Sequence, residues 1–296
     1  MNIQKSFDQE YAPKLYIVPT PIGNLEDITI RALRILKAVD MIAAEDTRNT
    51  QKLLNHFEIK TPLISYHEHN KQTRGTLLLE KLQSGQSIAA VSDAGMPAIS
   101  DPGQELVRLA IENDIDVVVL PGANAALCAL VGSGLDTRSF LFYGFLPRKK
   151  KDKEIELEKL NYMQASILLY ESPYRVKETL QTMQKIFDSR RQIVLARELT
   201  KRFEEYARGT IEELLDWAAG RELKGEFCMV VAGNENAADE LSPEKWWEEE
   251  QLTAKEHVAY IIENEGITSK EAIKRVAAER KQPKREIYQA YHQLGE

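Results

Sequence analysis

The sequence predicts an α/β fold of two domains followed by a small helical C-terminal module. Three observations carry this. From Lys14 to Ala129 short apolar strands alternate with amphipathic helices; around Gly132 to Arg138 (GSGLDTR) small and polar residues break the pattern before a second strand-rich unit; and an acid-rich stretch, Asn234 to Glu250, leads into a helical end. Strands alternating with helices imply right-handed crossovers and a largely parallel sheet covered on both faces. The expected bounds are 1–13 for a flexible N-terminal segment, 14–134 and 135–236 for the α/β domains, and 237–296 for the acidic linker and a helix-turn-helix-like tail.

Leu15 to Val18 is an apolar run ended by prolines and reads as the first strand, with the helix Ile28 to Val39 after it. Met41 to Ala44, Thr47 to Phe57, Leu63 to Tyr66 and Thr73 to Leu82 repeat the strand-helix unit. Two further strands each run into a turn punctuated by proline and glycine, Ser87 to Gly103 (SIAAVSDAGMPAISDPG) and Asp116 to Leu130 (DVVVLPGANAALCAL). Each turn opens a helix, Gln104 to Ile111 in the first case, which places candidate ligand loops at the carboxyl ends of strands. The second unit reads as strand Phe140 to Phe145, charged helix Asp152 to Tyr162, then strands Ser166 to Tyr170, Ile193 to Ala196, Phe203 to Gly209 and Glu226 to Ala232. Some of these connections are too short for a helical crossover, so the second sheet should be mixed. In the tail, Ser269 reads as a cap, Ala272, Ile273 and Val276 share a face, and Pro283 opens a helix bearing Ile287, Tyr288 and Tyr291.

At 296 residues, with 43% hydrophobic and 29% charged content, the chain can bury a sizeable core. No apolar run approaches the roughly 20 residues that cross a bilayer, and the start MNIQKSFDQEYAPK lacks the apolar core of a secretory signal. A cytoplasmic protein with no membrane partner is expected. Cys128 and Cys228, both flanked by apolar residues, are expected to be buried, inert thiols. The net charge of −7 argues against indiscriminate binding of polyanions, although it leaves local basic patches. Arg148, Lys149, Lys150, Lys151 and Lys153 form one; Lys281, Lys284 and Arg285 contribute to another.

The first strand ends in Pro19-Thr20-Pro21-Ile22-Gly23-Asn24-Leu25, which lacks the glycines and the Lys-Ser or Lys-Thr pair of a phosphate loop. Nucleoside triphosphates are therefore disfavoured. In Ser92-Asp93-Ala94-Gly95-Met96-Pro97 small residues let a ligand lie against the main chain, and Asp93 offers a carboxylate for an amine or ribose hydroxyl. The plainer alternative makes Asp93 and Asp101 helix caps and Pro97 and Pro102 helix starters. Pro121-Gly122-Ala123-Asn124-Ala125-Ala126 opens a helix without bulky side chains, which suits either an anion at its free amides or close packing on a neighbouring strand. Tyr66-His67-Glu68-His69-Asn70 lacks the second ligand group of a metal site, and no metal is expected.

Taken in order, Pro-Thr-Pro-Ile-Gly-Asn-Leu, Ala-Glu-Asp-Thr-Arg at Ala44 to Arg48, Ser-Asp-Ala-Gly-Met-Pro, Leu-Pro-Gly-Ala-Asn-Ala, Glu-Ser-Pro-Tyr-Arg at Glu171 to Arg175 and Gly-Glu-Phe at Gly225 to Phe227 resemble the tetrapyrrole methylase superfamily. The resemblance covers about Lys14 to Asn234. It implies a homodimer whose cofactor, S-adenosyl-L-methionine, folds into a cleft between the two α/β domains. The matching cofactor positions are Pro21, Gly23, Ser92, Asp93, Ala94, Gly95, Pro97, Pro121, Gly122 and Ala123. Tetrapyrrole-modifying members carry a glycine-richer first turn and Gly-Asp-Pro where this chain has Gly95-Met96-Pro97. That departure resembles the branch that methylates a cytidine ribose 2′-oxygen in small-subunit ribosomal RNA, and implies an assembled or partly assembled subunit as partner.

The chemistry of that reaction constrains the remaining residues. S-adenosylmethionine brings no phosphate, so small-residue loops plus a carboxylate suit it. A ribose hydroxyl is a poor nucleophile at neutral pH and needs a nearby proton acceptor. Glu45 or Asp46 could serve, with Arg48 on an RNA phosphate; equally, Asp46 could cap the next helix and pair with Arg48. His67 is a further candidate for substrate contact or proton acceptance. Glu171, Tyr174, Arg175 and Lys201 either line the opposite wall or form salt bridges, and Arg148, Lys149 and Lys150 are candidates for RNA phosphates. Two rivals follow from the same residues: a tetrapyrrole or other small-metabolite methyltransferase, and a helix-turn-helix regulator sensing a nucleoside-like ligand.

Overall fold

The computed structural model describes residues 3–6, 12–235, 252–280 and 282–292. Residues 1, 2 and 7–11 of the expected flexible segment, 236–251 of the acidic linker, and Lys281 lie outside the described residues. By contacts the chain forms two compact units, Met1–Gly233 and Asn234–Glu296. The first holds both sheets.

The first sheet comprises β1 (Lys14–Ile17), β2 (Met41–Ala44), β3 (Leu63–Ser65), β4 (Ile88–Val91) and β5 (Asp116–Val119), in the order β3-β2-β4-β1-β5. All its pairings are parallel. Alternate residues of a strand point to opposite faces, so the β-strands feed two apolar layers. One buries Val18, Ile42 and Ala89 beneath α1 (Ile30–Ala38) and α2 (Thr47–His56). The other buries Leu15, Ile17 and Ile88 beneath α3 (Lys71–Gln83) and α4 (Gln104–Glu112). Gln4 ties the start of the chain to the outer edge, its side chain exchanging two 2.9 Å bonds with the Val117 backbone.

The second sheet has the order β6-β7-β10-β8-β9, from β6 (Phe140–Phe145), β7 (Ser166–Glu171), β8 (Gln192–Arg197), β9 (Glu205–Thr210) and β10 (Phe227–Val231). It is mixed, with β6 and β7 parallel and the other pairs antiparallel. One face buries Leu169, Ile193 and Met229 against α6 (Lys150–Asn161), α7 (Val176–Ile186) and α8 (Ile211–Ala218). The other receives α5 (Ala125–Ser133), whose Ala126, Ala129 and Leu130 pack on Leu168, Val194 and Val230. This helix joins the two sheets. Small residues allow the approach: a Cβ on Gly132 would fall 2.5 Å from the Tyr206 ring, and Arg208 donates to the carbonyls of Gly132 and Ser133 at the helix C-terminus. Ala123, Ala125 and Ala126 of the third turn pack against the same apolar cluster.

Several sequence expectations shift. The charged helix begins at Lys150 rather than Asp152. Lys153 leaves the basic run altogether: it is fully buried, with Nζ donating to Glu178 at 3.0 Å and to Thr179 at 3.3 Å. A buried ammonium is tolerable only with such partners. The strand expected from Phe203 begins at Glu205, because residues 198–204 close a tight turn in which Thr200 N donates to Glu204 and Lys201 N to the Glu198 carbonyl. Cys228 is buried on central β10, where burial pushes its thiol up to about 12. Cys128 is not: it lies on the exposed side of α5, opposite the packed alanines.

Among its described residues the second unit has three helices, α9 (Ala254–Glu265), α10 (Ser269–Glu279) and α11 (Lys284–His292). They enclose Val258, Ile261, Ile273, Val276 and Ile287. Thr268, not Ser269, caps α10, because Glu271 three residues on completes a reciprocal capping box with it. Among the described residues no helix is long and apolar enough to cross a membrane.

Candidate active site

The turns after β1 and β4 are stitched together by an isolated antiparallel bridge, Thr20 N to Gly95 O at 3.0 Å and Gly95 N to Thr20 O at 2.9 Å. The bridged segments form a thin wall. Ile22, Ala94 and Gly95 line one cleft while Thr20, Pro21, Gly23, Ser92 and Asp93 line another.

The first cleft, about 350 Å³, lies between that wall, the start of α5 (Asn124, Ala125) and the second sheet. Tyr170 to Pro173 and Glu226 to Cys228 supply its far side, with Phe145 and Leu199. Five of the six motifs named above therefore converge here. The sixth, Ala44 to Arg48, does not reach the lining. Among the described residues, the charged ones lining the cleft are Asp101, Glu171 and Glu226, with no lysine or arginine. Glu171 is paired with Arg175 and Glu226 with Lys201, and the lining itself gives a phosphate no cationic partner. Two lining loops carry non-glycine residues at positive φ, Ala98 and Ser100 in one, Glu198 and Thr200 in the other, strain of the kind that clusters at ligand sites. The Thr200 hydroxyl is buried with no hydrogen-bond partner among the described residues.

Asp101 is the carboxylate that sequence reasoning missed, having been read only as a cap. The cap position of α4 is Gly103, and Asp101 is half-buried in the cleft wall. Burial, then the charge of Glu45, pushes its pKa up to about 6, against a hydrogen bond with Ser92. Glu45 is itself raised, first by burial and then by the Asp93 and Asp46 charges, opposed by the Asp93 amide that donates to it at 3.4 Å. The only sequence signal was the repeated acid in Ser-Asp-x₇-Asp; that both acids meet Glu45 depends on the fold.

The other candidates fall into place as follows. Asp46 caps α2 through Arg48 N at 2.8 Å and grips the Arg48 guanidinium at 2.6 Å, which holds its pKa down at about 2. So weak a base is unsuited to accepting a proton, and the capping alternative stands; Arg48 itself is exposed. Asp93 does not present a free carboxylate, since Asp46 N and Asn49 Nδ2 occupy its two oxygens at 3.1 and 3.0 Å. His67 lines neither cleft; its Nε2 sits 3.2 Å from Asn70 Nδ2, and its buried Nδ1 has no partner among the described residues. Glu171 and Arg175 form a 3.4 Å ion pair, Glu171 accepts from Thr179 at 2.8 Å, and Arg175 donates to the Leu146 and Pro147 carbonyls. They brace the cleft wall, while Tyr174 is almost fully exposed at its rim. Lys201 runs its stem over Gly23 and ends on Glu198 and Glu226 at 3.0 and 2.7 Å. Pro97, Pro121, Gly122 and Ala123 line neither cleft, but a Cβ on Gly122 would lie 2.6 Å from Pro19, so this glycine sets the spacing of the first and third turns. Arg148, Lys149 and Lys150 are exposed at the start of α6 and line neither cleft.

Residues 14–215 match the family model described as Tetrapyrrole (Corrin/Porphyrin) Methylases. The chain belongs to this family. It is 56% identical over 279 residues to a protein of Bacillus subtilis (strain 168) named ribosomal RNA small subunit methyltransferase I, covering 94% of each chain. A protein of the same name from Halalkalibacterium halodurans is 54% identical over 295 residues, covering 99% of this chain and 100% of that one. The fold is shared with uroporphyrin-III C-methyl transferase from Thermus thermophilus complexed with S-adenyl homocysteine: TM-score 0.54 at 16% identity, covering 74% of this chain and 97% of that one.

Proposed function

We propose that this protein uses S-adenosyl-L-methionine to methylate the ribose 2′-oxygen of a cytidine in small-subunit ribosomal RNA, acting in the cytoplasm as a homodimer on an assembled or partly assembled subunit. The observation that carries the reading is the first cleft, where the family motifs converge on a lining whose charges are all carboxylates. Near-full-length relatives carrying the ribosomal methyltransferase name support the RNA substrate over a tetrapyrrole. Exposed apolar residues on α5 and the edge strand β5, Leu127, Val131 and Val119, support a second copy as partner.

The cleft fits the cofactor. Acidic walls suit its sulfonium and ammonium, Phe145, Tyr170 and Leu199 offer apolar surface for a base, and the wall residues Ala94 and Gly95 allow contact with the main chain. When bound, S-adenosylmethionine supplies an already activated methyl group. The protein must then hold the acceptor oxygen in line at about 3–3.5 Å and take its proton. Asp101 is placed to take it: it lines the cleft, and burial with Glu45 nearby raises its basicity towards neutrality. Glu45 thereby acts through Asp101, and the apolar lining excludes water that would compete for the methyl group.

Incubating the protein with labelled cofactor and small ribosomal subunits, then mapping the product, tests this. Label is expected in rRNA as an alkali-resistant ribose methylation at a cytidine. Label confined to a base, to a precorrin-type tetrapyrrole, or to no rRNA form would reject it.

A further inference from the structure

The two sides of the bridged wall differ in the charged residues that line them. Whereas the described lining of the first cleft has three acids and no lysine or arginine, the second cleft, about 370 Å³, is lined by one lysine and one acid, Lys52 and Asp93, the latter accepting from Asp46 N and Asn49. Its floor is a stripe of α2, namely Asn49, Lys52, Leu53 and His56 at the i, i+3, i+4, i+7 spacing that shares one helix face. The cationic character extends beyond the cleft. Helix α1 (IRALRILKA) carries Arg31, Arg34 and Lys37, and α2 (TRNTQKLLNH) carries Arg48 and Lys52, with no Asp or Glu in either helix although the whole chain has a net charge of −7. Both helices cover the same face of the first sheet. By contrast, α6 interleaves its lysines with Asp152, Glu154, Glu156 and Glu158.

We propose that the α1–α2 face is the docking surface for the phosphate backbone of the RNA substrate, and that the second cleft holds a nucleotide adjoining the one to be methylated. This rests on the ribosomal RNA reading above. Arg34, Lys37 and Lys52 are exposed and supply the phosphate contacts. The exposed pair Asp93 and Ala94 forms the crest of the wall, Asp93 facing the second cleft and Ala94 the first. A strand seated beside α2 therefore passes its next ribose over this crest into the cleft that favours the cationic donor. The arrangement keeps a polyanion and a sulfonium in separate compartments that share one thin partition.

The triple variant Arg34→Ala/Lys37→Ala/Lys52→Ala tests the proposal on the full-length protein. Its affinity for small-subunit rRNA is expected to fall about 10- to 100-fold at moderate salt, and the slope of log K against log salt to flatten by about two to three. S-adenosylmethionine affinity and thermal midpoint should stay at wild-type values, because these side chains lie outside the first cleft. A second variant, Leu53→Trp, fills the second cleft and should raise KM for RNA more than it lowers kcat. Unchanged rRNA affinity and salt slope in the triple variant, with a wild-type protein that methylates rRNA, would overturn this inference alone. Wild-type protein that neither binds nor methylates rRNA would take down the functional reading with it.

Discussion

Asp101→Asn is expected to lower kcat by about 10²- to 10⁴-fold, the range for losing a general base, while S-adenosylmethionine affinity weakens by no more than about tenfold. The reason is positional. Asp101 is the cleft carboxylate raised to about 6, whereas Asp46 is held at about 2 by its own Arg48 and Glu45 does not line the cleft. The pH dependence follows with a definite sign. The proton acceptor must be ionised, so kcat/KM in wild type should climb about tenfold per pH unit up to pH about 6 and level off above it. Stability runs the other way. A carboxyl raised from 3.8 to about 6 favours the folded state most below 3.8, and that contribution is lost as pH rises through about 6. The Asn variant should therefore be no less stable than wild type at neutral pH while being far less active. An Asn variant that keeps both its rate and its acidic limb would remove Asp101 from the mechanism.

Ala94→Trp is expected to weaken S-adenosylmethionine binding at least about 100-fold, a loss of about 2.8 kcal/mol. Ala94 sits exposed on the wall crest and faces the first cleft, so an indole there fills space of about 350 Å³ without entering the core. The thermal midpoint should stay near wild type, as for most surface substitutions. Calorimetric titration with the cofactor, paired with a melting curve, checks both halves; undiminished affinity would move the cofactor out of this cleft. Gly122 is a poorer probe, because any Cβ there meets Pro19 and shifts the first turn as well.

Much of this architecture was legible in the chain. Short apolar runs ending in proline and glycine marked the strands that carry the ligand turns, and short connections after Ile193 to Ala196 foretold antiparallel neighbours in the second sheet. The side-chain roles were less accessible, because they depend on partners distant in sequence. Lys153 looks like one more member of a basic run until Thr179 and Glu178 are brought to it. Asp46 offered two readings, and a local bond to Arg48 N decided for the cap. Asp101 looked like a helix cap because the charge that acts on it, Glu45, is on a different strand end. Cys128 sits in an apolar run, yet the helix turns it away from the sheet that buries Ala126 and Ala129. The acid-free α1 and α2 are readable in the sequence, but a global charge of −7 and the denser lysines of α6 mask them.

The most direct measurement is a crystal structure of the protein with S-adenosylhomocysteine. The ligand is expected between Ala94–Met96 on one wall and Tyr170–Pro173 on the other, within reach of Asp101. Density for it beside Lys52 and His56 in the second cleft, or anywhere else on the molecule, would contradict the assignment of the acidic cleft to the methyl donor.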